Sequence, residues 1–175
     1  LLRILELVQE LGLTIEETDK LTGPITGKPK TGTFRLNDMI GIDTTVKVKK
    51  GMADNCPDDE ANAIFATPGI LEKMVEKGWY GDKTKQGFYK KTGEKDEKGK
   101  KIILSLDLET MEYRPNQRAK MASLDAVKTV DDLDRRLQML YAFDDKGGEL
   151  VRKSSQSLFA YISNRIPEIA DHLYQ

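Results

Sequence analysis

Cysteine, histidine and tryptophan each occur once in these 175 residues, as Cys56, His172 and Trp79. A lone cysteine excludes any disulfide within the chain. Cys56 is followed by Pro57 and Asp58, with no base close in sequence, and a thiol nucleophile needs one. His172 lies in the closing stretch RIPEIADHLYQ without a serine, cysteine or metal-ligand partner at helical spacing, so it reads as a surface residue. Neither sign of charge is in excess. Twenty-eight Lys and Arg against 29 Asp and Glu leave a net charge of −1, which argues against a general nucleic-acid binder. No apolar run reaches the length of a membrane span, and no signal-peptide pattern opens the chain. The cytoplasm is the expected compartment.

Aromatic residues are scarce too, at 7%, and this makes their one cluster informative. Gly78 to Lys91, GWYGDKTKQGFYKK, holds Trp79, Tyr80, Phe88 and Tyr89 between three glycines. Glycines between large rings mark tight turns held close to other backbone. Such a corner either pins a helix to a hairpin or builds a ligand cleft.

The periodicity around it is mostly helical. Leu1, Ile4, Leu5, Val8 and Leu11 share one helix face, which is already under way at residue 1. With the amphipathic start at Pro167 that stops at Gln175, this reads as a fragment of a longer polypeptide, and the apolar face invites a partner. Gly12 ends the first helix, and Thr14 with Glu17 forms a capping box for the second, which Gly23-Pro24 stops. After a Gly/Pro-rich loop, Thr33 is expected to cap a short helix with Phe34, Leu36, Met39 and Ile40 inward and Gly41 at its close. A helix from Asp43 or Thr44 to about Asn55 follows, with Lys47, Lys49 and Lys50 on its wet face. Pro57 to Ala66 adds a helical turn or two, and Thr67-Pro68 opens a helix that ends at Gly78.

Beyond the corner, Gly87 to Tyr89 reads as a strand, Lys90 to Lys101 as a long mobile charged turn, and IILSLDLETMEYRP as the returning strand. Helices follow over 123–130, over 131–143 with Leu133, Leu137, Met139 and Leu140 inward, and from about Glu149 to Asn164. The last is expected to bury Leu150, Val151, Leu158, Phe159 and Ile162. The fold class is mainly α with one small β-hairpin. Residues 1–121 are expected to form one helical domain, and 122–175 a helical linker and the start of a second helical repeat.

No complete catalytic set emerges from these residues. Gly23, Gly27 and Lys28 suggest a phosphate loop, but the glycines are one residue too close, Pro29 replaces the hydroxyl residue and a helix precedes. The acidic pairs, such as Glu16-Glu17 and Asp131-Asp132, sit at helix starts, where the helix dipole favours them.

Two blocks together resemble one family. LTGPITGKPKTGTFRLNDMIGIDT, from Leu21 to Thr44, and KMVEKGWYGDKTKQGFYKK, from Lys73 to Lys91, look like the C-terminal helical domain of bacterial and archaeal L-3-hydroxyacyl-CoA dehydrogenases. The fold so implied is a helical bundle like the 6-phosphogluconate dehydrogenase C-terminal domain. LSLDLETMEYRP and SNRIPEIAD are similar to the longer, hydratase-fused members. The resemblance implies an NAD-dependent oxidoreductase of fatty-acid β-oxidation whose NAD-binding Rossmann domain and catalytic His and Glu lie outside this chain. This chain would then supply one wall of the acyl-CoA cleft and a homodimer surface, and would be inactive alone. The matching positions are Gly23, Pro24, Phe34 and Asp38 in the first block, and Lys83, Gly87, Phe88 and Tyr89 in the second. They carry over as substrate-cleft or scaffold positions, with no catalytic residue, bound cofactor or metal ligand among them. Trp79 could add to an apolar wall, and Lys83 and Lys85 could face phosphates. The alternative is a non-catalytic helical dimerisation module.

Overall fold

The computed structural model describes residues 1–66 and 69–173, with side chains as far as residue 167. Helix α1 (Leu2–Leu11) ends at Gly12, whose left-handed backbone carries the chain into Thr14. Thr14 and Glu17 form the expected capping box on α2 (Ile15–Leu21), with Glu17 N–H donating to Thr14 Oγ1 at 3.2 Å and Thr14 N–H to Glu17 Oε2 at 2.9 Å. The apolar face of α1 is not open to a partner. Leu5, Leu7 and Val8 are buried in the main core, Leu1, Ile4 and Leu11 are packed against it, and α9 covers the helix.

Helix α3 (Gly32–Ile40) departs from expectation at its start and on its faces. Its cap comes not from Thr33 but from Asp19 on α2, whose carboxylate accepts from Phe34 N–H (2.6 Å) and Arg35 N–H (3.0 Å). Thr33 instead donates both its N–H and its hydroxyl to Thr22 Oγ1. Phe34 is buried as expected, but Leu36, Met39 and Ile40 point outward at 39%, 55% and 50% exposure. Asn37 and Asp38 occupy the inner face with Phe34, because their polar groups have partners there. Helix α4 (Ile42–Asn55) exposes Lys47 and Lys50, whereas Lys49 is buried and paired with Glu72 at 2.5 Å. A buried ammonium needs such a partner.

The stretch from Pro57 is mostly turn, and only α5 (Asn62–Ala66) is helical. The expected opening at Thr67-Pro68 lies outside the described residues. Helix α6 (Ile70–Glu76) buries Leu71 and Met74 and leads into the aromatic corner. An antiparallel sheet follows, built from β1 (Tyr89–Lys95), β2 (Lys101–Leu106) and β3 (Tyr113–Pro115) in that order. Tyr89 pairs with Ser105, and Ser105 with Arg114. The long charged turn shrinks to residues 96–100, closed by Asp96 N–H on Lys100 O at 2.8 Å. The third strand, not anticipated, exists because the Asp107 side chain builds a reversal, accepting from Glu109 N–H and Thr110 N–H.

Helices α7 (Ala122–Val127), α8 (Leu133–Ala142) and α9 (Lys146–Leu173) pack on one another, and α9 lies across the first two helices. On α8, Leu140 is fully buried and Met139 packs against the core, but Leu133 is 38% exposed. Arg136 fastens α8 to the turn after α2 by donating to Ile25 O at 3.2 Å. On α9, Leu150 and Val151 enter the core, while Leu158, Phe159 and Ile162 stand exposed, against expectation. The helix has run past the core by then, so these side chains have nothing to cover them. It also continues through Pro167 instead of restarting there. Tyr161 and Asn164, bonded to Asp59 and Glu60 at 2.7 Å each, hold it just before the proline.

Asp19 closes three donors of other elements at once, and truncation would leave them buried and unpaired. Asp19→Ala is expected to lower the unfolding free energy by about 2–4 kcal/mol, against about 1 kcal/mol for loss of the cap in Thr14→Ala. Urea unfolding followed by circular dichroism and by the fluorescence of Trp79 measures both.

Candidate functional site

The corner begins where α6 stops at Gly78. Trp79 packs on Tyr113 with ring centroids 5.1 Å apart, and the Lys77 ammonium lies 5.2 Å from the indole. Gly81 and Gln86 exchange backbone hydrogen bonds of 2.8 and 3.1 Å, closing a tight loop that contains one 3-10 turn, Asp82–Thr84. Asp38 on α3 reaches into this loop's exit. Its two oxygens accept from Phe88 N–H and Tyr89 N–H, each at 2.8 Å.

Two glycines make that approach possible. A Cβ on Gly81 would strike the Asp38 backbone, and one on Gly87 would strike its carboxylate. Gly81 also has a φ of 91°, which side-chain-bearing residues rarely adopt. Behind them Phe88 meets Phe34 at 4.6 Å between ring centroids, both rings fully buried. Tyr89 then points back to α2 and donates its hydroxyl to Asp19 at 2.8 Å. The knot therefore joins α2, α3 and β1 through two carboxylates.

On its outer side Asp82 accepts a bidentate pair from Arg35 at 2.9 and 2.7 Å, and Lys91 at 2.8 Å. Opposite, Glu16 accepts both Arg114 guanidinium nitrogens at 2.8 Å each. Between these pairs opens a cleft of about 1030 Å³. Pro24, Ile25, Tyr89, Ile103, Ala119 and Leu124 are among the residues that line it.

The eight positions singled out in the sequence divide accordingly. Phe34, Asp38, Gly87 and Phe88 form the buried knot, and Tyr89 links it to the cleft. Gly23 is buried at the end of α2, where a Cβ would crowd Asp19 O at 2.8 Å, and Pro24 lies on the cleft edge. Lys83 stands apart, paired with Asp43 at 2.6 Å. Several cleft residues had no sequence signal. Asp19 and Glu16 line it, held by partners 70 and 98 residues away in the chain, Tyr89 and Arg114.

Burial pushes Asp38 up to about 6, against the pull of the Tyr89 and Phe88 N–H groups. It does the same to Asp19, also to about 6, opposed by Phe34 N–H and the Tyr89 hydroxyl. The Tyr89 hydroxyl is itself driven far up, by burial first and then by Asp19. For Glu16, burial works upward, but the bonds from Arg114 and Gln117 N–H outweigh it and hold the carboxyl low. All these groups are spent on structural partners.

No group of three or more His, Cys, Asp or Glu could hold a metal among the described residues. The sheet is antiparallel, whereas a Rossmann site needs a parallel strand-turn-helix with a G-x-G-x-x-G turn, which the sequence lacks.

Comparison with known proteins decides the family. The family profile described as 3-hydroxyacyl-CoA dehydrogenase, C-terminal domain, matches residues 1–91, a little over half of the chain. The chain belongs to this family. A Bacillus subtilis (strain 168) protein named a probable 3-hydroxyacyl-CoA dehydrogenase is 34% identical over 98% of this chain and 21% of its own length. A Rickettsia felis protein, whose name describes a fatty acid oxidation complex trifunctional enzyme, is 27% identical over 89% of this chain and 20% of its own. A Mycobacterium tuberculosis 3-hydroxybutyryl-CoA dehydrogenase is 33% identical over 51% of this chain and 29% of its own. This chain thus spans only about a fifth to under a third of these relatives. No solved structure matches. The helical architecture is that of the family domain, its small sheet having three strands where the sequence suggested a hairpin.

The raised carboxyls set a pH signature. An unfolded aspartate titrates near about 3.9, so between there and about 6 the folded chain holds protons the unfolded chain has released. The contribution of Asp19 and Asp38 to stability is therefore expected to fall as pH rises through that window and to level off above it. Carboxyl carbon NMR checks this directly, with both midpoints near pH 6.

Proposed function

We propose that this chain is the part of an NAD-dependent 3-hydroxyacyl-CoA dehydrogenase that walls one side of the acyl-CoA cleft. The observation that carries this reading is the placement of Pro24 and Tyr89 on one cleft of about 1030 Å³ whose lining includes Ile25, Ile103 and Leu124. A thioester chain needs such a wall, and the locked knot behind Tyr89 keeps it rigid. In the whole enzyme a 3-hydroxyl is oxidised to a ketone as hydride passes to the nicotinamide, and a histidine oriented by a carboxylate takes the hydroxyl proton. Those groups belong to a Rossmann domain of the same parent chain. Here every buried carboxylate of the site already accepts backbone, tyrosine or arginine donors, so none is poised as a base. Fatty-acid β-oxidation in the cytoplasm is the setting this reading implies. His172, whose side chain lies outside those described, takes no role in it.

A second reading, assembly as a homodimer, is favoured by one surface. Leu36, Met39 and Ile40 of α3 and Val48 of α4 stand 39–58% exposed on adjoining helices. An apolar face of this kind is stabilised by a partner.

The isolated chain is expected to show no reduction of acetoacetyl-CoA by NADH, while calorimetry detects weak acyl-CoA binding. Measurable turnover by the pure chain would sink the first statement, and absence of binding at millimolar ligand the second. Sedimentation separates the assembly reading: a dimer that Ile40→Asp converts to monomer supports it, and a monomer at high concentration overturns it.

A further inference from the structure

The 3-10 turn Pro24–Thr26, flanked by Gly23 and Gly27, puts Pro24 and Ile25 on the cleft lining, yet it buries little of its own. Pro24 and Gly27 are exposed, and Ile25 and Thr26 are half-buried. Within the turn, Thr26 N–H and Lys28 N–H donate to Gly23 O and Gly27 N–H donates to Pro24 O, each at 3.1 Å. Those bonds fix its shape but not where it sits. One anchor is local, the Thr26 hydroxyl donating to Leu21 O at 2.9 Å. The other comes from α8, 111 residues further along the chain.

Arg136 supplies it. Its Nε donates to Ile25 O at 3.2 Å and its Nη2 to Pro24 O at 3.4 Å. Its Nη1 reaches Val130 O at 3.1 Å and Asp131 O at 3.5 Å, in the connection between α7 and α8. The fork thus ties two loops together through their carbonyls, a geometry that the point charge of a lysine does not provide. Three residues earlier on the same helix face, Leu133 lies against Gly27, where an added Cβ would stand 2.9 Å from its Cδ2. Arg136 is not itself among the residues that line the cleft. It also lies beyond residues 1–91, the span of the family profile.

We propose that α8 positions the Pro24–Ile25 side of the cleft, with Arg136 as the positioning residue and Leu133 as its apolar counterpart. Neither touches what the cleft receives; both act through the turn. The inference rests on the acyl-CoA reading above for the use of the cleft, while the anchoring stands on the geometry of α8 alone. Without Arg136 the turn keeps its internal bonds but loses the fork that sets Pro24 and Ile25 against α2. A site held by a rigid supporting contact binds with less cost than one whose wall must be ordered each time.

Amide hydrogen exchange, followed by NMR on the full 175-residue chain, tests this. Arg136→Ala is expected to speed exchange at Thr26, Gly27 and Lys28 about tenfold or more, and by a larger factor than at Leu7 and Val8 in the core. Guanidinium ion, added well below denaturing concentrations, is expected to restore protection at those three amides by occupying the vacated fork. A residue that only tied α8 down would show no such local rescue. Arg136→Lys, which keeps the charge without the fork, is expected to follow the alanine variant. Should Arg136→Ala not fold, Leu133→Ala at an exposed position is the second variant, with faster exchange expected at Gly27. The inference is overturned if the turn amides keep their rates, if they accelerate only as much as Leu7 and Val8, or if guanidinium restores nothing. Calorimetry with acetoacetyl-CoA then separates it from the reading it rests on. Binding weakened about tenfold in Arg136→Ala supports both. Equal binding by the wild type and by a variant with a loosened turn overturns the inference and leaves the acyl-CoA wall standing. If neither binds while the turn loosens and guanidinium restores it, the acyl-CoA wall fails and the anchoring by α8 stands.

Discussion

Two aspartates, Asp38 buried and Asp19 half-buried, hold this fold in register by accepting backbone N–H groups from elements other than their own. Asp19 ends α2 and starts α3, taking the Phe34 and Arg35 amides that a helix N-terminus leaves without partners. Asp38, further along α3, takes the Phe88 and Tyr89 amides at the entrance to β1. Tyr89 then returns its hydroxyl to Asp19, so helix, helix and strand close into one ring of contacts. Because a carboxylate with few alternatives tolerates little displacement, the surrounding residues are constrained as well. The glycines at 81 and 87 are required by the closeness of Asp38, and the Phe34–Phe88 contact fills the apolar side of the same knot.

The cost of that arrangement is the burial of charge, visible in the upward push on both aspartates. Elsewhere the chain keeps its ion pairs bidentate or partly wet. Arg35 with Asp82 and Arg114 with Glu16 frame the cleft as rigid forks, a geometry that a lysine could not reproduce. Catalytic chemistry and the surface that receives substrate are, on this reading, divided between different domains of one enzyme.

Local signals in the sequence were sound wherever the deciding partner was also local. The Thr14–Glu17 box, the Gly12 stop and the aromatic corner could be recognised because their partners lie within a few residues, or because the turn chemistry is specific to glycine. Errors arose where a distant partner overrode periodicity. The helical pattern assigned Leu36, Met39 and Ile40 inward, but Asp38 turned the helix to reach Phe88 and Tyr89 fifty residues away. Lys49 looked like a solvated lysine until Glu72 drew it under α6. The third strand was missed because its pairing depends on the Asp107 reversal, and a three-residue strand has no period to detect.

The sequence by itself determined the mainly helical class, the membership signalled by the two glycine-aromatic blocks, and the importance of the corner from Gly78 to Lys91. Those properties rest on backbone preferences and on spacing along the chain. Only the tertiary structure decided how the corner is built: a buried knot of Phe34, Asp38, Gly87 and Phe88, from which Tyr89 reaches the lining of a cleft. Carboxylates and cations act through space, and which of them meet is set by packing between elements, a quantity that no window of the sequence contains.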